Sequence, residues 1–233
     1  MTVIVLNSVF SSSLQDAQND YLLGRYDEAI KKAKALSADD EVLYFLGIAY
    51  LKISKYSTAR IYFKKLTNRF SNSKLYIRGL LKLADTYFLQ KNYSEALRLY
   101  QQIKENHSDF SEMSSVYLRL AQIAGRRGKW EEKNLYLNKL KNDYPDNPSM
   151  HFVKILEAYG DFFTIQVGAF GDKKNALALE NELSKTYKSY IIKDAEGAYT
   201  IYKVRVGKYK KRYDAEKTSE NLTQEGYPAK IYP

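Results

Sequence analysis

The stretch Phe163-Thr-Ile-Gln-Val-Gly-Ala-Phe170 alternates apolar and polar side chains until Gly168 breaks it, the pattern of a half-buried strand running into a turn. The phrase returns as Tyr202-Lys-Val-Arg-Val-Gly-Lys-Tyr209, and a shift of 39 residues sets Ile165 on Val204, Val167 on Val206, Gly168 on Gly207 and Phe170 on Tyr209. Each copy leads into a helical segment. The first, Lys173 to Leu183, carries Ala176, Leu179 and Leu183 on one face, and the second carries Ala215, Thr218 and Leu222. Each helix runs into a further strand, Ser189 to Lys193 and Ala229 to Tyr232, the latter set up by the Gly226-Tyr-Pro228 turn. The plan is β-α-β twice: a four-stranded, antiparallel sheet with both helices on one face.

Strand alternation sends Ile165, Val167, Val204 and Val206 toward those helices. It leaves Thr164, Gln166, Ile201, Lys203 and Arg205 on the other face, joined by Tyr190, Ile192, Lys230 and Tyr232. A solvated face built from strand-forming residues would show the same alternation. The combination of an amide, cations and tyrosines on one shallow surface also suits a sugar polymer, because amides pair with hydroxyl and acetamido groups and aromatic faces cover the C–H face of a pyranose.

The duplicated strand motif resembles the SPOR domain, over residues 161–233. The resemblance implies a bacterial cell-envelope module, periplasmic and septal, that binds peptidoglycan and prefers glycan strands stripped of stem peptides. Removing a stem peptide frees a lactyl carboxylate, which gives Lys203 or Arg205 an anion to pair with. By resemblance, the family's first-strand glutamine falls on Gln166 and its third-strand basic residue on Lys203. Three positions depart from the family: Ala169 where serine is frequent, Lys203 where arginine is frequent, and Ile201 where some members carry a bulkier aromatic.

Residues 14–159 repeat a different phrase: Gly24-Arg-Tyr26-Asp-Glu-Ala29, Ser54-Lys-Tyr56-Ser-Thr-Ala59, Lys91-Asn-Tyr93-Ser-Glu-Ala96 and Gly128-Lys-Trp130-Glu-Glu-Lys133, at intervals of 30, 37 and 37 residues. Leu46-Gly47, Leu83-Ala84 and Leu120-Ala121 precede the later three at matched distances, so each unit is a pair of helices joined by a tight turn. Small residues let the paired helices approach, and Tyr56, Tyr93 and Trp130 plug the gap to the neighbouring turn. This resembles the tetratricopeptide repeat. In that register Tyr44, Ile48 and Lys52, then Leu81, Asp85 and Phe88, then Leu118, Gln122 and Arg126 line a concave side, which in such repeats binds a protein or peptide segment; packing contacts are the alternative. Lys133 stands where the pattern wants alanine. Met150 to Tyr159 reads as a capping helix that buries Phe152, Ile155, Leu156 and Tyr159. The fold class expected is therefore α + (α+β): a helical tetratricopeptide-like solenoid followed by a small βαββαβ domain, with Gly160 and Asp161 as a short, restricted hinge.

A chain of 233 residues, 45% hydrophobic and 14% aromatic, has material for packed domains, and the net charge of +10 is spread along it. There is no cysteine, hence no disulfide, thiolate metal site or cysteine nucleophile. His107 and His151 stand alone, without metal-ligand spacing or a Gly-rich phosphate loop, and Glu131-Glu132 sits on a helix needing a solvated face. No cofactor and no enzymatic activity are expected. Residues 1–13 read either as a signal remnant or as an ordinary leader, and no segment is long enough to span a bilayer. The resulting reading is a non-enzymatic envelope protein of cell division or wall remodelling. Its rivals are an adaptor whose SPOR-like domain binds no glycan, and an RNA-recognition-like sheet, which would need stacked aromatics where Thr164, Gln166, Lys203 and Arg205 stand.

Overall fold

The computed structural model describes residues 13–196 and 199–233. The leader expected over residues 1–13 lies outside the described residues except for Ser13. That serine caps the first helix: its hydroxyl accepts from the Asp16 backbone N–H while the Asp16 carboxylate accepts from the Ser13 N–H.

The chain packs as two compact units, Met1–Val116 and Tyr117–Pro233. The first holds α1 (Leu14–Leu22), α2 (Tyr26–Lys34), α3 (Asp40–Lys52), α4 (Tyr56–Arg69), α5 (Tyr76–Leu89) and α6 (Tyr93–Asn106), and α7 (Met113–Arg126) crosses the division. The second adds α8 (Trp130–Asp143), α9 (Met150–Ala158), β1 (Phe163–Phe170), α10 (Lys173–Leu183), β2 (Ser189–Glu196), β3 (Tyr199–Tyr209), α11 (Arg212–Gln224) and β4 (Lys230–Tyr232).

Each repeated aromatic opens its helix: Tyr26, Tyr56, Tyr93 and Trp130 are the first residues of α2, α4, α6 and α8. Two residues earlier the backbone is left-handed every time, at Gly24, Ser54, Lys91 and Gly128. The residue between donates its N–H to a carbonyl five back, Arg25 to Asp20, Lys55 to Tyr50, Asn92 to Tyr87 and Lys129 to Ala124, each at 2.9 Å. This is a Schellman turn, which satisfies the last carbonyls of one helix while reversing the chain into the next. The alanine three residues after each aromatic, Ala29, Ala59 and Ala96, is fully buried. Close approach is enforced at Gly47, where an added Cβ would lie 2.5 Å from the Phe63 ring.

The sheet has the order β2-β3-β1-β4, with all neighbours antiparallel. α10 and α11 cover one face, over a core of Ile165, Val167, Ala176, Leu183, Val204, Val206 and Leu222. The β2–β3 hairpin is longer than alternation implied, because Asp194 pairs with Ile201 and the ladder continues to Glu196 and Tyr199. Strand β4 starts one residue late, at Lys230. The two helices end in a reciprocal clasp: the Tyr187 hydroxyl donates to Glu225 and the Tyr227 hydroxyl to Glu182, both at 2.5 Å.

One packing expectation is corrected. In α9 it is Val153 that is fully buried and Leu156 that is half-buried, whereas Phe152, Ile155 and Tyr159 stay exposed. The helix packs through Met150, Val153 and Leu156 against Leu118, Leu137 and Leu140, a stripe rotated from the one with the largest side chains.

Two predictions follow from these turns and bonds. Lys91→Gly relieves a left-handed backbone at an exposed position, and should raise the unfolding free energy by about 1 kcal/mol in urea titration. The Glu225 hydrogen bond, with burial and the carboxylate's charge behind it, pushes the Tyr187 hydroxyl up to about 12 from the ordinary 10.0. A raised folded-state pKa gives stability that is complete below pH 10 and lost as pH climbs toward about 12. Tyr187→Phe should therefore remove one late-ionising tyrosine from the alkaline absorbance titration and flatten the loss of stability over that window.

Candidate functional site

The face opposite α10 and α11 is organised by strand register. Tyr190 pairs with Arg205, Arg205 with Gln166, and Gln166 with Lys230, so these four form one row across β2, β3, β1 and β4. A second row joins Ile192, Lys203 and Ala169, and at the edges Thr164 lies beside Tyr232 and Ile201 beside Asp194. The residues singled out from alternation thus share a face.

They are unequal in access. Lys230 and Ile201 are exposed, and Gln166, Tyr190, Tyr232 and Lys203 are half-buried. Thr164 and Arg205 are buried, which corrects the expectation that the whole face is open. The Thr164 hydroxyl donates to the Val206 carbonyl and accepts from the Tyr190 hydroxyl at 2.9 Å, so it supports the sheet. Lys203 forms an ion pair with Asp194 across the hairpin, and that hydrogen bond raises the ammonium's pKa. Among the described residues Arg205 has no ion pair: Tyr159 and Tyr232 stand around its guanidinium at 5.5 and 5.1 Å, and its buried Nε meets no hydrogen-bond acceptor there.

Two residues of this face escape alternation. Phe163 pairs with Tyr209 but Ile165 with Val206, so β3 holds an extra residue there, a bulge at the left-handed Gly207. Beyond it the faces exchange, and Lys208 lies 5.0 Å from the Phe162 ring and 5.2 Å from the Tyr190 ring. The repeated glycine is the signal in the sequence. Tyr159 arrives from the end of α9, which no strand pattern reports.

Lys133, the break in the repeat pattern, is 3% exposed. Its ammonium reaches the Gly160 carbonyl at 2.9 Å, the Leu156 carbonyl at 3.4 Å and the Asp161 carboxylate at 2.6 Å. Asn134 donates to the other Asp161 oxygen at 2.8 Å, and Lys210 donates to the Asp161 carbonyl at 2.9 Å. Burial raises the Asp161 pKa, but the Lys133 and Asn134 hydrogen bonds outweigh it and hold the carboxyl below its usual range. Trp130 completes the clamp, donating Nε1–H to the Lys210 carbonyl at 3.0 Å, its ring 5.0 Å from that of Phe163. The two hinge residues are therefore fastened on both sides.

In the first unit Tyr44 and Ile48 line a groove of about 510 Å³ with Gln18, Tyr21 and Leu22 of α1. Lys52 is exposed and Phe88 packs edge-on against Tyr93. Leu81 and Asp85 are buried, contrary to expectation: Asp85 accepts from the Tyr100 hydroxyl at 2.7 Å, a bond inside its own helix pair. In the second unit Leu118 belongs to the core around Val153, Gln122 accepts from Arg119 at 2.9 Å, and Arg126 is exposed.

His107 packs against Tyr76 and His151 against Phe152. Among the described residues no three His, Asp or Glu side chains gather as a metal site, and no helix is long and apolar enough to cross a membrane.

Residues 41–73, 78–109 and 115–147 match the tetratricopeptide repeat family, and residues 159–232 match the SPOR domain. The chain carries tetratricopeptide repeats followed by a SPOR domain. The SPOR match implies peptidoglycan binding, the repeats imply protein interaction, and both are binding families rather than enzymatic ones. SPOR domains occur in bacterial cell-envelope proteins. Among solved structures the chain is similar to MamA from Desulfovibrio magneticus (18% identity, 73% of this chain and 90% of that one, TM-score 0.53). It is also similar to PilW, a type IV pilus biogenesis factor (17%, 63% and 70%, 0.53), and to YrrB, a tetratricopeptide repeat protein with an unusual peptide-binding site (16%, 62% and 76%, 0.52). At these identities the likeness is one of fold. No curated protein matches the sequence significantly.

Lys133→Ala restores the repeat pattern yet should destabilise the second unit by about 2 kcal/mol, because the Gly160 carbonyl loses its donor and the Asp161 carboxylate keeps only Asn134. Thermal melting measures the loss, and emission from Trp130, the sole tryptophan, should shift to the red as the clamp loosens.

Proposed function

We propose that this protein is a non-enzymatic envelope adaptor that anchors through the SPOR sheet on glycan strands lacking stem peptides and holds a protein segment in the repeat groove. The observation that carries the reading is the row Tyr190, Arg205, Gln166, Lys230, which crosses all four strands. Three inter-strand gaps of about 4.8 Å give it a length of roughly 14 Å, enough for more than one pyranose.

The chemistry of the row fits the ligand. Gln166 supplies donor and acceptor for hydroxyl and acetamido groups, and Tyr190 and Tyr232 offer rings for the C–H faces of sugars. Lys208, Lys230 and Arg205 supply positive charge toward the lactyl carboxylate that appears when a stem peptide is removed. Strands processed in this way accumulate where amidases act, which supports a place in cell division or wall remodelling and a septal position. The groove at Tyr44 and Ile48, about 510 Å³ and lined by Tyr21, Leu22, Phe45 and Leu75 as well, supports a protein segment as the second ligand.

The Lys203–Asp194 ion pair favours the rival reading, an adaptor whose SPOR domain has lost its glycan, because the family's basic position is here spent internally. Co-sedimentation separates the two. Purified protein should pellet more on sacculi stripped by an amidase than on intact ones, and Gln166→Ala should weaken that pelleting about fivefold, the value of one net hydrogen bond. No pelleting on either kind of sacculi would favour the rival, and equal pelleting on both would overturn the preference for stripped strands.

A further inference from the structure

We infer that Arg205 is the carboxylate-binding group of the sheet face and that Tyr159, contributed by the end of α9 rather than by the sheet, gates it. The inference rests on the glycan-binding reading and adds to it a residue and a closed state.

The cations of this face differ in what they have left to give. Lys203 is neutralised by Asp194, and Lys230 and Lys208 are exposed ammonium groups that lie over tyrosine or phenylalanine rings. Arg205 sits at the centre of the four-residue row, beside Tyr190 and Gln166. It is 3% exposed, and among the described residues no carboxylate pairs with it and no acceptor meets its Nε–H. A buried donor without an acceptor is costly to maintain, and a guanidinium edge matches a carboxylate in shape as well as charge. Arg205 thus holds, at its Nε, a donor that no described acceptor uses, as an anion receptor requires.

What closes it is aromatic. Tyr232 comes from β4, inside the domain. Tyr159 comes from the helix that ends the repeats, its ring centre 5.5 Å from the guanidinium carbon. Tyr159 as a residue is itself 38% exposed, so its side chain has solvent beside it to swing into. The backbone around it does not share that freedom, because Lys133 holds the carbonyls of Leu156 and Gly160. The gate is therefore a side-chain rotation on a fixed base. A ligand carboxylate that reaches Arg205 gives the Nε–H the acceptor it lacks in the closed state, so closure is lost in favour of binding. Where binding needs the open state, apparent affinity is reduced by the fraction of time that state is populated.

The test measures binding of amidase-stripped glycan strands to the full chain by calorimetry, for wild type, Tyr159→Ala, Tyr159→Phe and the double variant Tyr159→Ala, Arg205→Ala. Removing the ring should tighten binding at least about threefold, the phenylalanine variant should match wild type, and the double variant should lose the gain. The Arg205 Nε–H resonance in nitrogen-15 spectra should move on glycan addition in both wild type and Tyr159→Ala, which reads the contact independently of affinity. Unchanged or weaker binding by a folded Tyr159→Ala, with wild type still binding and still sensitive to Gln166→Ala, overturns the gate and leaves the glycan-binding reading intact. No binding by wild type or any variant overturns both.

Discussion

The buried ammonium of Lys133 is the constraint on which the second unit depends. A lysine inside a helical pair is tolerated only if its charge is paired and its donors are used. Here the partners are the Leu156 carbonyl in the last turn of α9, the Gly160 carbonyl just beyond it and the Asp161 carboxylate, so one side chain from the final repeat ties the end of the capping helix to the first residues of the sheet domain. Trp130 and Lys210 close the same junction from the other side. Where three earlier repeats use an alanine to let helices touch, the fourth uses a lysine to hold a domain.

The helical array is held by a different, repeated device. A left-handed residue and a five-residue-back hydrogen bond recur in the turn inside each helical pair, so the reversal geometry is copied even where the residue is serine or lysine instead of glycine. With the turn fixed, the aromatic at the start of the second helix and the buried alanine one turn later follow from helical period. Small residues at the crossing then decide how near the helices lie, as Gly47 against Phe63 shows.

On the sheet, the face opposite the helices is shaped by the domain's own bonds. Thr164 and Lys203 lie on the face opposite α10 and α11 but spend their polar groups on Tyr190, the Val206 carbonyl and Asp194. The glycine bulge at Gly207 redirects Lys208 to that face, and α9 adds Tyr159. The charge left unpaired on that face is therefore a product of packing, not of the residue count on the strand.

Local periodicity and internal repetition by themselves determined the domain types of this protein, the antiparallel sheet, the faces of its strands and the register of its helical pairs. Those features depend on the two-residue period of a strand, the 3.6-residue period of a helix and the spacing of turn residues, all of which lie along the chain. Only the tertiary structure decided that Leu81 and Asp85 are interior, that α9 turns Val153 inward and leaves Phe152 outside, that Lys133 is a clamp, and that Arg205 is covered. Each of these depends on a partner far away in sequence, Tyr100 for Asp85, Asp161 for Lys133 and Tyr159 for Arg205. Pairings across that distance are set by how elements dock, which no periodicity within a single element encodes.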